Sequence, residues 1–249
     1  MFYVIMEWRV IGLETFSAEM NMAIDQAIYE SVEAGGAPTI RFYKWEHGGI
    51  SIGKGQAGSI VNISACKKEV IGMVRRPTGG NVVYHGPHDL TYSVVAPNSL
   101  FGDNAGLVNH SAYREICTWI IEALKRVKIS GSLIGAKDVV EEGKKVSGNA
   151  QMKGEKVFLQ HGALFFKSTP AEWQALLNDK FPKLNELKPI GAFGKVNPRV
   201  FYECLLEAFT MNKIVDGNFS SSALSNEELR RAHELADTVY TEKNFLGSG

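Results

Sequence analysis

Residues 75–90 read Arg-Arg-Pro-Thr-Gly-Gly-Asn-Val-Val-Tyr-His-Gly-Pro-His-Asp-Leu, and they carry more information than any other part of the chain. The apolar residues before Arg75 predict a strand that runs into the glycine pair Gly79 and Gly80. Glycine permits positive φ and lets a ligand approach the backbone closely. Successive amide N–H groups in such a turn can bind an anion, and an adjacent guanidinium matches carboxylate or phosphate. The stretch therefore predicts an anion-binding turn. A plain surface hairpin with two solvated arginines is the alternative.

A second glycine-bounded segment lies downstream, where residues 143–151 read Gly-Lys-Lys-Val-Ser-Gly-Asn-Ala-Gln. The pattern around Gly143 predicts a hairpin, and the sequence Gln-His-Gly follows at residues 160–162. A lysine beside such a turn can act as a point charge while its alkyl stem lines an apolar slot. Taken alone, the segment is better interpreted as a surface hairpin with two exposed lysines.

Hydrophobic periodicity predicts strands and helices in alternation, followed by two terminal helices. Ser17 is a candidate cap for the first helix, and Ser225 with Glu228 forms a predicted capping box for the last. The strands over residues 81–84 and 90–95 are expected to pair. The expected fold class is α+β, with mixed or antiparallel sheets packed with helices. The predicted helices cover residues 18–34, 62–69, 111–127, 171–177, 198–209 and 226–239.

Composition and charge exclude several classes of protein. Lys plus Arg and Asp plus Glu are each 27 of 249 residues, and this balance argues against general nucleic-acid or membrane-surface binding. No apolar window approaches the roughly 18 residues that a transmembrane helix needs. The three cysteines are far apart and form no zinc-like spacing, which fits a reducing, cytoplasmic location.

The order and spacing of these motifs resemble the lipoate-protein ligase A family, within the biotin/lipoate ligase and octanoyltransferase superfamily. Residues 21–25, 41–45 and 51–56 are similar to further parts of that family, so the resemblance spans nearly the whole chain. It implies a catalytic domain of the class II aminoacyl-tRNA-synthetase and biotin-ligase type. We expect one such domain over residues 1–249, in the form that lacks the C-terminal accessory domain.

The resemblance implies ATP-dependent ligation. ATP and Mg²⁺ would convert lipoate or octanoate to an acyl adenylate, and a lysine of an apo lipoyl-domain protein would then take the acyl group. The implied acceptors are the E2 subunit of 2-oxoacid dehydrogenases and the glycine cleavage H protein. A separately encoded accessory subunit is a further implied partner, whereas nucleic acid and membrane are not.

The resemblance also implies the site residues. Lys145 is the candidate catalytic lysine, contacting the acyl carbonyl and the α-phosphate. Asp138 is the candidate magnesium ligand, although Lys137 stands where ligases usually have asparagine. His85 and His161 are expected to shape the pocket or steer the acceptor lysine. The residues implied to bind substrate or ATP are Arg41, Tyr43, Gly53, Arg75, Arg76, Thr78, Gly79, Gly80, Asn81, His85, Ser147, Gly148, Ala150, His161 and Gly162.

The cysteines are the basis for choosing between ligase and transferase. An octanoyltransferase that works through a cysteine thioester needs a thiol near the pocket. Residues 132–138 and 157–160, where the resemblance would place it, contain none. We therefore expect a ligase. The alternatives are an octanoyl or lipoyl transferase that takes the acyl group from acyl carrier protein or another lipoyl protein without ATP, and a non-enzymatic subunit of a split ligase. A biotin ligase is disfavoured because its Gly-Arg-rich loop is missing.

Overall fold

A computed structural model of the chain describes residues 6–101, 110–135, 137–194, 196–211 and 217–247. Eleven strands within these residues form one sheet of eight strands and one of three. The strands are β1 (Met6–Phe16), β2 (Thr39–Trp45), β3 (Gly49–Ile52), β4 (Gly72–Arg75), β5 (Val83–His85), β6 (Leu90–Pro97), β7 (Ser132–Ile134), β8 (Asp138–Glu141), β9 (Lys144–Lys153), β10 (Val157–Leu164) and β11 (Gly217–Ser222).

Both sheets are mixed. The large sheet has the order β11-β1-β2-β6-β10-β9-β8-β7, in which β1 is parallel to both of its neighbours and the other pairs are antiparallel. In the small sheet β3 lies between β4, its parallel neighbour, and β5, its antiparallel neighbour. This arrangement, with the helices described below, confirms the predicted α+β class. The β8–β9 hairpin around Gly143, which has a φ of 71°, was also expected.

The predicted pairing of residues 81–84 with 90–95 is wrong. β5 belongs to the small sheet and β6 to the centre of the large one. The turn between them is held by Asp89, whose carboxylate accepts hydrogen bonds from the amides of Gly86, Phe166 and Lys167. Because this buried carboxylate ties the turn to the chain after β10, the two strands diverge into different sheets.

Helices cover both faces of the large sheet. The Ser17 side chain caps the first helix, and Ser225 and Glu228 form the predicted capping box of the sixth. The helices are α1 (Ala18–Glu33), α2 (Ile63–Lys68), α3 (His110–Arg126), α4 (Pro170–Ala175), α5 (Pro198–Thr210), α6 (Asn226–Thr238) and α7 (Glu242–Leu246).

Within the described part of the chain, the hydrophobic core consists of three clusters. Alternation along β2 directs Phe42 into a cluster with α3 and α5, and directs Tyr43 into a cluster with α1 and α6. The third cluster joins the small sheet to α4 through residues such as Phe165 and Trp173. The large sheet is therefore a central layer between two helical layers, and the small sheet packs beside it.

Three of these elements, β7, β11 and α7, were not expected from the sequence. Residues 217–222 read Gly-Asn-Phe-Ser-Ser-Ser, a polar run without apolar alternation, and they form β11 only through parallel pairing with β1. The short helix α7 buries Phe245 in the third cluster. No helix in the described residues is long and apolar enough to cross a membrane. The single-domain organisation and the cytoplasmic location remain predictions.

Candidate functional site

A cavity of about 150 Å³ lies between the two sheets. Its apolar wall includes Met22, Trp45, Val82, Phe165, Trp173 and Leu187. An engineered apolar cavity of about this volume holds a benzene-sized molecule, so the space suits a slim hydrocarbon chain. The predicted site residues that line it are Tyr43, Arg76, Gly80, Asn81, His85, Asp138, Lys145, Gly148, Ala150, His161 and Gly162.

Six predicted binding residues do not line the cavity. Arg41 is fully buried beside Asp25, with 3.1 Å between its Nη1 and Oδ1 of the carboxylate. Gly53 packs under the glycine turn, where a Cβ would lie 2.0 Å from the carbonyl oxygen of Gly80. The side chains of Arg41, Arg75 and Thr78 are engaged by other groups of the protein, whereas the buried Ser147 hydroxyl has no partner in the described residues. The six are Arg41, Gly53, Arg75, Thr78, Gly79 and Ser147.

The two arginines of the motif bind the protein's own carbonyl groups. Arg75 donates to the backbone oxygens of Gly53, Lys54 and Gln56, and to those of Asn244 and Phe245 in α7. It therefore fastens the loop after β3 to the C-terminal helix. The carboxylate or phosphate contact expected of Arg75 is not supported by this position.

Arg76 is 5% exposed, and its N–H groups likewise donate to oxygen atoms of the protein itself. Nε and Nη2 donate to the Gly79 carbonyl, Nη2 also donates to the Asn81 carbonyl, and Nη1 donates to both oxygens of Ser51. A guanidinium has five N–H donors, and these five bonds account for all of them. Burial lowers the pKa of Arg76 to about 10, which leaves it charged at neutral pH. Arg76 thus contributes a positive charge beside the cavity rather than a free hydrogen-bond donor.

Lys145 and Asp138 form an ion pair on the cavity wall. Nζ lies 2.8 Å from Oδ1, at an approach angle outside the range for a hydrogen bond. Lys145 folds over Gly148, where a Cβ would come within 2.8 Å of Cε. Both side chains are about one-third exposed, so the pair can be reached by a substrate.

The surroundings of Asp138 do not fit a magnesium site. Its carboxylate faces an ammonium group, and the described residues contain no group of three His, Cys, Asp or Glu side chains that could hold a metal ion. Mg²⁺ prefers several oxygen ligands in octahedral geometry.

His161 is held at both ring nitrogens. Nδ1 lies 3.1 Å from Oδ2 of Asp25, and Nε2 lies 2.7 Å from Oγ1 of Thr78. Burial acts to raise the pKa of Asp25, but the hydrogen bond from His161 and the charge of Arg41 outweigh it and lower that pKa. An ionised Asp25 accepts from Nδ1–H, and in the neutral ring Nε2 then accepts from the Thr78 hydroxyl. His161 is therefore part of the cavity wall with no free ring nitrogen.

Asp25 does not line the cavity but fixes His161 in its wall; the sequence reading did not identify this role, although the sequence carries a signal for it. Asn21 and Asp25 lie four residues apart on the buried face of α1, where polar side chains are unusual. Both bind the Arg41 guanidinium, and Asp25 also accepts from the hydroxyls of Tyr43 and Ser93. A polar pair on an apolar helix face was the available clue.

His85 differs from His161 in having one unpartnered nitrogen. Nε2 lies 2.9 Å from Oγ of Ser51, while the buried Nδ1 has no partner in the described part of the chain. The ring stacks on Trp45 at 3.9 Å between centroids. Burial, followed by the charge of Arg76, lowers the pKa of His85 well below its ordinary value, so the ring is neutral.

None of the three cysteines lines the cavity. Cys66 and Cys117 lie within hydrophobic clusters, and burial raises the pKa of Cys66 to about 11 and that of Cys117 to about 12. Cys204 is half-buried on α5, and its pKa is also raised by burial. A neutral, enclosed thiol is a poor nucleophile, so no cysteine here is placed or activated for acyl transfer.

Comparisons with known proteins agree with the architecture. Residues 17–197 match the lipoyl protein ligase A/B catalytic domain. The chain is 30% identical to octanoyltransferase LipM of Carboxydothermus hydrogenoformans over 96% of its own length and 98% of the relative's. It is 34% identical to octanoyltransferase LipM of Anoxybacillus flavithermus, over 96% and 89% respectively. A solved structure of a bi-partite lipoate protein ligase and its E2 lipoyl domain from Thermoplasma acidophilum superposes with a TM-score of 0.85, at 26% identity and 97% coverage of both chains.

The ATP-dependent ligase reaction expected from the sequence is wrong, because these curated relatives are octanoyltransferases that match nearly the whole chain. The expectation rested on the missing thiol. A missing thiol argues against an acyl-cysteine intermediate, but it does not require a nucleotide, since an amine can attack a thioester directly. ATP, Mg²⁺ and the acyl adenylate were implied only by the ligase reaction. The transferase alternative agrees with the relatives.

Proposed function

Because the chain belongs to the lipoyl protein ligase A/B catalytic domain family, we propose that it is an octanoyltransferase that needs no ATP. It moves an octanoyl or closely related lipoyl group from a thioester donor to a lysine of a lipoyl-domain protein. The donor is an acyl carrier protein or another acylated lipoyl protein. The acceptors are apo lipoyl domains of the kind found in 2-oxoacid dehydrogenase E2 subunits and the glycine cleavage H protein.

The cavity is the observation that supports this proposal most. Its apolar wall of Trp45, Val82 and Phe165 suits a hydrocarbon chain, and the Lys145–Asp138 ion pair lies on the wall of the same cavity. Burial of each methylene contributes about 0.8 kcal/mol, so an eight-carbon chain gains several kcal/mol of binding energy in such a slot. The need for a separately encoded accessory subunit remains a prediction that the assay below can test.

We propose direct transfer in a complex of both substrates. The acceptor amine attacks the thioester carbonyl, a C–N bond forms, and the C–S bond breaks. Asp138 takes the proton that the attacking nitrogen loses, and Lys145 gives a proton to the leaving sulfur. A proton then passes from Asp138 to Lys145 once the two side chains, 2.8 Å apart, turn into hydrogen-bond alignment, which restores the original ion pair. Atoms and charges balance without a nucleotide or a covalent enzyme intermediate.

The experiment uses the purified chain, octanoyl-acyl carrier protein and an apo lipoyl domain, with no ATP or divalent cation. Intact mass spectrometry of the acceptor should show one octanoyl addition, and the thiol of the carrier should be released in equal amount. An acceptor in which the target lysine is replaced by alanine should show no addition.

A parallel reaction contains free octanoate and Mg-ATP in place of the thioester donor. Addition only in this second reaction would refute the proposal. If neither reaction works with the chain alone, both are repeated with candidate accessory subunits, and continued failure with the thioester donor would also count against it.

A further inference from the structure

The cavity offers few hydrogen-bond donors that are free to meet a substrate. The five N–H groups of Arg76 are bonded to Ser51, Gly79 and Asn81, and both ring nitrogens of His161 are engaged. His85 lines the same cavity, is 5% exposed, and keeps its Nδ1 unpartnered within the described residues. A buried polar atom without a partner costs free energy unless a ligand or water satisfies it.

Hydrogen-bond counting assigns the proton of the His85 ring. Ser51 Oγ accepts from Nη1 of Arg76 at 3.2 Å and lies 2.9 Å from Nε2 of His85. If the Ser51 hydroxyl donates to Nε2, the ring proton is on Nδ1, and Nδ1–H is the one group of the pair that is left unpaired. If Nε2 instead carries the proton, both the Ser51 hydroxyl hydrogen and Nδ1 are left unpaired. The first arrangement is favoured because it leaves fewer buried groups unsatisfied.

The same neighbours keep the ring neutral and in place. Arg76 polarises Ser51 and opposes a second proton on His85, while Trp45 stacks on the ring with an interplanar angle of 8°. A neutral ring with Nδ1–H is a fixed donor whose orientation is determined before the substrate arrives. Fixed donors of this kind stabilise charge that develops during acyl transfer.

We propose that Nδ1–H of His85 donates a hydrogen bond to the carbonyl oxygen of the acyl substrate and stabilises the negative charge that forms there. This rests on the proposed acyl transfer. His85 is thus a catalytic residue, and Ser51 is a positioning residue that selects the tautomer. When the acceptor amine attacks, the carbonyl π electrons move to oxygen, and they return when the C–S bond breaks. The donor keeps its proton throughout.

Two substitutions of His85 separate this role from a structural one. The amide nitrogen of asparagine stands two bonds from Cβ, as Nδ1 does, so His85→Asn can keep a donor near the carbonyl. His85→Gln reaches further, toward Ser51, and lacks that donor. Both remove the ring that stacks on Trp45, so they are matched controls for packing. We expect kcat to fall about 100-fold in His85→Gln and roughly tenfold in His85→Asn, in line with loss of one oxyanion donor.

The opposite order would overturn the proposal, because it would show that the link to Ser51 is what matters. Equal rates in the two variants and the parent would overturn it as well. Melting temperatures of the three proteins establish that they are folded. If both variants fail to fold, the proposed role of His85 is tested instead by NMR spectroscopy of the parent protein.

That measurement is ¹⁵N NMR of the parent protein with labelled histidine, with the His85 signals assigned from Ser51→Ala and Ser51→Thr. At neutral pH we expect a protonated Nδ1 and an unprotonated Nε2. Ser51→Ala should mix the tautomers, and Ser51→Thr should restore the parent pattern. Addition of a keto analogue of octanoyl-pantetheine, in which methylene replaces the sulfur, should shift the Nδ1–H signal.

An Nε2–H tautomer, or saturating binding of the analogue without a shift at Nδ1, would overturn the proposal. These readouts do not depend on turnover. Absence of acyl transfer by the parent protein would therefore count against the proposed function. The tautomer and the ligand-induced shift would still test whether Nδ1–H of His85 donates to the acyl carbonyl.

Discussion

The ammonium nitrogen of Lys145 lies 2.8 Å from Oδ1 of Asp138, on neighbouring strands of the β8–β9 hairpin and at the edge of the apolar cavity. If the two side chains act as one proton relay, removing either should disable it. We expect Lys145→Ala and Asp138→Asn each to lower kcat by about 100-fold, and the double variant to be little slower than either single one. Steady-state kinetics of acceptor acylation measures this. Losses that multiply in the double variant would contradict a shared role.

Gly148 leaves room for the Lys145 side chain. A Cβ at this position would lie 2.8 Å from Cε and 3.0 Å from Nζ, so Gly148→Ala should push the ammonium away from Asp138. We expect activity to fall about 100-fold, since a displacement near 1 Å can cost this much. Gly55→Ala is the matched control, because nothing lies within 4 Å of its Cβ and its φ is not in the left-handed region. Similar kinetics for the two variants would refute the steric argument.

Buried Asp25 should make stability fall in acid. Its pKa in the folded protein lies below the ordinary value of 3.8, so its contribution is fully present above about pH 4. That contribution is lost as the pH falls through the lower, folded-state pKa. Asp25→Asn should lower the free energy of unfolding by about 3 kcal/mol at pH 7, because it leaves the charge of Arg41 without its buried partner. In this variant the free energy of unfolding should also depend less on pH in acid than it does in the parent.

Urea unfolding of the parent and Asp25→Asn proteins between pH 7 and pH 3 tests this expectation. Asp237→Asn, on the exposed side of α6, is the control and should leave the pH profile close to that of the parent. If the unfolding free energy of Asp25→Asn falls with acid as steeply as that of the parent, Asp25 is not the cause of the acid dependence.

Arg75 should matter for stability and not for substrate binding. Its guanidinium joins carbonyls of the loop after β3 to those of α7, and Arg75→Lys loses most of these bonds. We expect a loss of about 1–3 kcal/mol in unfolding free energy with KM nearly unchanged. Arg199→Lys, whose side chain is 87% exposed, should change neither quantity. A rise in KM without loss of stability would restore the substrate-binding role expected from the sequence.

The cysteines should be dispensable. Replacement of Cys66, Cys117 and Cys204 by alanine should leave acyl transfer close to the parent rate, because none of them lines the cavity. Intact mass spectrometry of the parent enzyme, incubated with donor alone, should show no acyl adduct. An adduct on any cysteine, or loss of transfer in a folded triple variant, would contradict direct transfer. Since Cys117 contacts Asn149 at 3.5 Å, circular dichroism is needed to establish folding.

Local sequence patterns determined much of the fold. The apolar periodicity of α1, α3 and α6, the caps at Ser17 and Ser225, and the hairpin at Gly143 all follow from contacts between residues close in the chain. The motif around Gly79 and Gly80 also located one wall of the cavity. Patterns of this range predict elements and the neighbourhood of a site because short-range sterics and hydrogen bonds dominate them.

Only the tertiary structure decided which polar groups are free. The sequence motifs and the resemblance assigned Arg75, Arg76, His85 and His161 to ligand binding, yet carbonyl, hydroxyl and carboxylate groups of the protein, many of them from other elements, engage nearly all of their polar atoms. The His161–Asp25 contact joins residues 136 positions apart, and β11 exists only through its pairing with β1. A side chain's capacity to bind depends on partners that long-range folding brings to it. No local pattern records those partners, so the unpartnered Nδ1 of His85 became visible only in three dimensions.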